Sequence, residues 1–395
     1  MRRWLTWLPL TIGATLLLGS WFYLMWNTTA GELIPGLRFR TKTTIAGVVQ
    51  EAAPVFSLDA VLTGKYQQWI SQSVGKLSPI YKPAIGWKNQ IYYTLLGTAG
   101  SDRVSVGRDQ QLFEMIYLNE YCSRDLTKLR SIGEDWAARI RRMQDFFDSR
   151  GKTFVYLITP SKIAQNPQII PAGYTCPAAA KDRAEKLSVY DEILTRHGVR
   201  FVDAASNLAA AREEYGISMF PRGGTHWNSL AAALGTQKVI AAVNAQRPLL
   251  ATFSFTWRIS YSPQGIDRDL LDLMNLRHPD AHYPVPELTY QSSPPKVCRT
   301  VTITEFGGSF LGSLDSALEK LACPPQITNW FYWDHNRVHY EGGRLYDLPV
   351  DADARRKSLL DADIVLLEEN ESLAPGSRHG EQMMQQVAAL AGKSP

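Results

Sequence analysis

Five short apolar runs, bounded by turn residues and interleaved with stretches of helical spacing, constrain this chain more than any other feature. Residues 152–158 (KTFVYLI), 199–202, 300–306, 327–333 and 364–367 are rich in β-branched and aromatic side chains. They are too short for helices and read as buried strands. Helices are expected over 136–150, 180–197, 205–215, 229–246, a segment closing at Leu321, 354–360 and a last one from Glu381. A sheet fed by such alternation has both faces covered, which predicts an α/β fold with a mostly parallel sheet and helices on both faces. Two stretches interrupt the pattern. Residues 31–128, with Pro54, Pro79 and Pro83, read as a lead-in, and 247–296, rich in Pro and Asp, read as an insertion lining one side of a site. The main domain is therefore expected over 129–395.

The amino terminus bounds where such a domain can work. The 23 residues from Trp4 to Trp26 carry no charge, and as a helix they would be about 34 Å long, enough to cross a hydrocarbon core of roughly 30 Å. Arg2 and Arg3 precede the run, while Trp4, Trp7, Trp21, Tyr23 and Trp26 gather at its ends. A cytoplasmic tip and transmembrane anchor over 1–30, with the remainder exported, is the expectation. A cleaved signal peptide ending at Thr28-Thr29-Ala30 is the alternative. Cys122, Cys176, Cys298 and Cys323 fit an oxidising space, where two disulfides can form. Cys298 with Cys323 is the preferred bridge, because both stand at the starts of adjacent strands; four buried thiols are the alternative. No spacing among them builds a zinc site. With 42 basic against 38 acidic residues and no basic run, nucleic-acid binding is dropped.

Two turns carry chemistry. Ser309 follows Gly307-Gly308 where a strand becomes a helix, a geometry that exposes a hydroxyl beside the free N–H groups of a helix start. Those groups can stabilise a developing oxyanion. A serine that merely caps the helix is the plainer reading of the same letters. His226 lies in Arg222-Gly223-Gly224-Thr225-His226-Trp227-Asn228, where an imidazole with a pKa near 6.5 could take a serine proton. A histidine held only for structure is its alternative.

Taken together, Thr159-Pro160-Ser161-Lys162, a strand ending at Asp203, the THWN turn, the insertion and GGSF resemble the alginate O-acetyltransferase family of exported SGNH-like proteins. The resemblance extends over about 92–373, including Val106-Gly107-Arg108-Asp109 and Asp269-Leu270-Leu271-Asp272-Leu273. It implies a circularly permuted SGNH-hydrolase-like fold with Ser309 as nucleophile and His226 as base. It also implies a bacterial inner-membrane protein with a periplasmic domain. An exported polysaccharide would be the acceptor, and a multi-spanning membrane O-acyltransferase the acetyl donor. No cofactor and no metal are implied.

The family writes Asp-x-His-Trp and Gly-Asp-Ser, whereas this chain has Gly224 and Gly308 at the acidic positions. The carboxylate that orients the imidazole is thus expected from elsewhere, at Glu369, Glu371 or Glu305. Asn370, Gly308, Arg222, Trp227 and Asn336 are candidates for oxyanion or substrate contacts. Trp330 and Trp333 offer sugar-facing rings or plain core, and Asp334, His335, Asn336 and His339 read as a polar loop beside the site. An acetyltransferase is the leading expectation. A catalytically inactive scaffold or polysaccharide-binding component, and a carbohydrate esterase, are its rivals.

Overall fold

The computed structural model describes residues 55–70, 81–293, 298–340, 344–348 and 350–392, with short pieces between 11 and 26; of 82, 336–340 and 344–348 only the backbone is described. About half of the expected span Trp4–Trp26 lies outside these residues. Among the described residues no helix is long and apolar enough to cross a membrane.

The chain divides into two compact units, Met1–Asp102 with Leu271–Asp280, and Arg103–Leu270 with Ala281–Pro395. The lead-in expected to run to 128 therefore ends earlier. From Arg103 onward Phe113, Leu118 and Cys122 are buried with Ile163 and Ile169, which ties this stretch into the larger unit. In the smaller unit, helix Tyr81–Leu96 turns polar residues inward. Asn89 donates to the Met274 carbonyl (2.7 Å) and Gln90 accepts from the His278 N–H (2.9 Å).

The strands of the larger unit are β1 (Val104–Val106), β2 (Leu112–Glu114), β3 (Thr153–Thr159), β4 (Phe201–Asp203), β5 (Phe253–Ser260), β6 (Val285–Ser292), β7 (Thr302–Gly307), β8 (Gln326–Phe331), β9 (His335–Tyr340), β10 (Arg344–Leu348) and β11 (Ile364–Asn370). Seven of them form one sheet in the order β10-β9-β8-β7-β11-β3-β4. The five from β8 to β4 are parallel, and β9 and β10 extend the edge antiparallel.

Alternate side chains of each strand enter opposite cores. Phe154, Tyr156 and Ile158 of β3, with Val365 and Leu367 of β11, pack under helices Leu126–Asp148 and Arg378–Leu390. Val155 and Leu157, with Leu366 and Ile303, pack under helices Ser229–Gln246 and Leu311–Leu318. This is why the runs read as unbroken apolar sequence: at 25 cal/mol per Å² of apolar surface, about 1.5–3 kcal/mol accrues for each large side chain on either face.

The insertion is more ordered than its composition implies. β5 and β6 pair antiparallel inside it, with Phe255, Trp257, Leu288 and Tyr290 turned onto the core and Ser254, Thr256, Arg258, Thr289 and Gln291 exposed. Period-two alternation in FSFTWRIS encodes this. Cys298 pairs with Cys323 as expected, and Cys122 pairs with Cys176.

Candidate active site

The two turns meet at the carboxyl ends of the parallel strands. After β7 the chain passes through Gly308 and Ser309 into helix Leu311–Leu318. A side chain at 308 has no room, since a Cβ there would lie 2.9 Å from Cε1 of the Tyr332 ring. The acidic slot of the Gly-Asp-Ser pattern is thus occupied by a phenol. On the other side, Asn228 caps helix Ser229–Gln246 by accepting the Ala231 N–H (3.0 Å), which sets the direction in which residues 225–227 enter it. Buried Trp227 donates its indole N–H to the Phe310 carbonyl (3.3 Å). The neighbours of His226 and Ser309 thereby hold one another.

Beneath the histidine turn lies Lys162, 1% exposed. Its ammonium donates to the carbonyls of Leu112 (2.6 Å), Pro221 (2.6 Å), Arg222 (3.2 Å) and Gly224 (2.8 Å). Burial pulls its pKa down to about 7, opposed by the nearby charge of Asp269.

His226 Nε2 stands 2.7 Å from Ser309 Oγ. Its Nδ1 meets Asp269 Oδ2. The other oxygen of Asp269 accepts the Thr225 N–H (2.9 Å) and its own neighbour's N–H, at Leu270 (2.7 Å). The carboxylate is therefore fixed in the plane it offers to the imidazole. His226 and Asp269 side chains are 13% and 26% exposed, so the cluster is shielded yet open to a substrate. Hydroxyl, imidazole and carboxylate in this sequence can pass a proton from serine to histidine and stabilise the imidazolium that results.

The carboxylate on His226 is not one of those expected. Glu369 accepts from Trp136 Nε1 (3.0 Å), Tyr156 OH (2.5 Å) and the Ser377 N–H (2.9 Å) on the helix side of the sheet. Glu371 accepts from the Ser161 N–H (2.7 Å) and Gln165 (2.9 Å). Glu305 accepts from Asn329 (2.5 Å) and faces Asp315; burial, then Asp315, push its pKa far up. Each is a buried carboxyl group engaged by other partners, and none reaches the imidazole. Asp269 comes from the 247–296 insertion. Gly224 explains how it arrives: a Cβ at 224 would lie 2.3 Å from the Ile266 carbonyl oxygen, so the absence of a side chain lets the 266–269 backbone close onto the histidine turn. A glycine where the family places its acid, with Asp267, Asp269 and Asp272 downstream, is the sequence signal that could have found it.

The expected oxyanion and substrate contacts also sort differently. Asn370 donates its amide to the Pro160 carbonyl (2.7 Å) and accepts from Ser372, so it braces the end of β11. The Gly308 N–H is engaged by Glu368 (2.7 Å), a buried carboxyl group whose pKa burial raises. Trp227 and Trp330 are fully buried in the two opposite cores, and Trp333 packs against the core that holds Trp330, with Arg355 over its ring. Arg222 lies over the Tyr283 ring. Asp334 pairs with Arg378 (3.0 Å), while the side chains of Asn336 and His339 fall outside the described residues. Ser309 N–H points at the Tyr332 hydroxyl (3.4 Å), and Thr225 donates its hydroxyl to Glu114 (3.1 Å), whose pKa is raised by burial.

Residues 104–297 match the family described as the SGNH hydrolase-like domain of the acetyltransferase AlgX. That span holds His226 and Asp269 and stops short of Ser309. Among solved structures, the O-acetyltransferase domain of Pseudomonas putida AlgJ is similar at 18% identity, covering 72% of this chain and 99% of that one with a TM-score of 0.45. Pseudomonas aeruginosa AlgX is similar at 12% identity, covering 79% and 73% with a TM-score of 0.43. Bacillus cereus PatB1 is similar at 13% identity, covering 69% and 97% with a TM-score of 0.42. No curated protein matches the chain by sequence.

Proposed function

Because residues 104–297 match the family described as the SGNH hydrolase-like domain of the acetyltransferase AlgX, we propose that this protein is an O-acetyltransferase working through an acetyl-Ser309 intermediate. The observation that carries the reading is the run from Ser309 Oγ through His226 (2.7 Å) to Asp269. Ser309 Oγ attacks the carbonyl carbon of an acetyl donor while His226 Nε2 accepts the hydroxyl proton. Asp269 holds Nδ1–H and so keeps Nε2 free to accept. Collapse of the tetrahedral adduct expels the donor's oxygen, which leaves with the proton from His226. An acceptor hydroxyl then gives its proton to His226 and attacks the acetyl carbon, and the new adduct collapses to the acetyl ester and Ser309, whose oxygen takes the proton back from His226.

The acceptor we propose is a hydroxyl of an exported polysaccharide, and the donor a multi-spanning membrane O-acyltransferase. The location we propose is the inner membrane, anchored through 4–26, with the larger unit in the periplasm. The uncharged run, Arg2 and Arg3, and two disulfides support that location. An inactive scaffold was attractive only while the histidine lacked an orienting acid, and Asp269 removes that reason. Exposure to an acetyl ester should leave an acetyl mass on Ser309, and Ser309→Ala should abolish both adduct and polymer acetylation. Full polymer acetylation by the alanine variant would sink the reading in favour of a scaffold. Release of acetate without transfer to any oligosaccharide would turn it to an esterase.

A further inference from the structure

An acyl-transfer site needs donors for the oxygen that becomes negative in the tetrahedral adduct, and two of the candidates named from the sequence are engaged elsewhere. The Gly308 N–H is held by Glu368 (2.7 Å) and the Asn370 amide by Pro160 (2.7 Å). The Ser309 N–H, at the start of the same turn, points at the Tyr332 hydroxyl (3.4 Å). We infer that Tyr332 is a catalytic residue whose phenol O–H is the second oxyanion donor, standing in for the two groups drawn into the sheet edge. The inference rests on the acetyl-Ser309 reading and deepens it.

Several independent features aim this side chain. Tyr332 leaves the end of β8 with its N–H bonded to the Gly307 carbonyl (2.8 Å), one residue before the serine turn's central glycine. Its ring covers Gly308 so closely that any Cβ there would collide with it. Tyr332 and Trp333 both hold left-handed backbone angles, φ 47° and 71°. Side chains other than glycine rarely adopt such angles, and they persist where surrounding contacts enforce them, often at functional sites. Arg355 supplies such a contact, bonding the Trp333 carbonyl (3.0 Å) and lying over the Trp333 ring.

In the free protein the phenol oxygen occupies the place of an acyl oxygen, accepting from Ser309 N–H. An arriving carbonyl takes over that N–H. The phenol, on a side chain 38% exposed, shifts by about one hydrogen-bond length and turns its own O–H onto the newcomer. No proton is transferred in this role. Burial raises the phenol's pKa, so it stays protonated and able to donate at neutral pH.

The test is turnover of p-nitrophenyl acetate by the full chain in detergent, with Ser309→Ala, Tyr332→Phe and a protein carrying 3,5-difluorotyrosine at 332. Tyr332→Phe should lower kcat by about 10²–10³-fold, the usual effect of removing one oxyanion donor, with KM within about twofold. Difluorotyrosine should retain turnover at low pH and lose it on a new alkaline limb as its more acidic phenol ionises, a shift that a packing role would not produce. The fluorinated protein keeps the ring's shape, so it answers even if the Phe variant misfolds. Unchanged Ser309→Ala turnover would overturn the acetyl-Ser309 reading and this inference together. A dead Ser309→Ala beside a Tyr332→Phe kcat within about threefold of wild type, or no new limb for difluorotyrosine, would overturn this inference alone.

Discussion

Replacing Asp269 by Asn keeps the side chain's shape and removes its charge, and the bonds around it decide which way the new amide turns. Oδ1 accepts two backbone N–H groups, from Thr225 (2.9 Å) and Leu270 (2.7 Å), so the oxygen of the amide must stay there. Its NH₂ is then forced to the position facing His226 Nδ1 and donates to it. Nδ1 becomes the unprotonated nitrogen, Nε2 carries the proton, and the nitrogen 2.7 Å from Ser309 Oγ can no longer accept. The same tautomer reversal in a serine protease triad lowers kcat about 10⁴-fold, equivalent to about 5.5 kcal/mol of transition-state stabilisation. We expect a loss of that order in kcat for p-nitrophenyl acetate and in the rate of Ser309 acetylation followed by intact mass. An acid at 224, the family's position, cannot compensate, since its Cβ would lie 2.3 Å from the Ile266 carbonyl. Gly224→Asp should therefore fail to rescue Asp269→Asn and should lower Tm. An Asp269→Asn kcat within tenfold of wild type would refute the assignment of the orienting acid.

Lys162→Met removes the ammonium from the carbonyls of Leu112, Pro221 and Gly224, while that of Arg222 keeps the Leu112 N–H (2.9 Å). Urea unfolding should show a loss of about 3 kcal/mol or more, and kcat should fall as the turn bearing His226 loosens. Asp191, pushed up to about 8 by burial and by facing Asp203, binds more protons folded than unfolded between its ordinary value and 8. Its contribution to stability is present below about pH 4 and is lost as pH rises through 8. The Tm measured across that window should lose part of its downward slope in Asp191→Asn. Cys122–Cys176 closes a loop spanning 54 positions; the double alanine variant should unfold with about 2–4 kcal/mol less stability, checked by urea titration.

The sheet was legible because its determinants are local. Runs such as KTFVYLI satisfy both faces of a buried strand at once, and Gly-Gly-Ser or Thr-His-Trp-Asn shape their own turns through backbone freedom and capping. The β5–β6 pair was equally local, in the alternation of FSFTWRIS, but Pro and Asp around it masked the period. The fate of the carboxylates was not local. Glu305, Glu369 and Glu371 look as able to hold an imidazole as Asp269 does until packing assigns them to Asn329, Trp136 and Ser161.

By itself, then, the chain of residues determined the α/β alternation and the two turns, because neighbours along the backbone settle strands, caps and glycine geometry. Only the folded structure decided which acid meets His226 and which donors remain beside Ser309. Those choices depend on the 266–269 backbone closing over Gly224, 43 positions of chain separating the two partners, and on a phenol covering Gly308. Contacts between segments so far apart follow from the packing of the whole sheet edge, and no local pattern carries them.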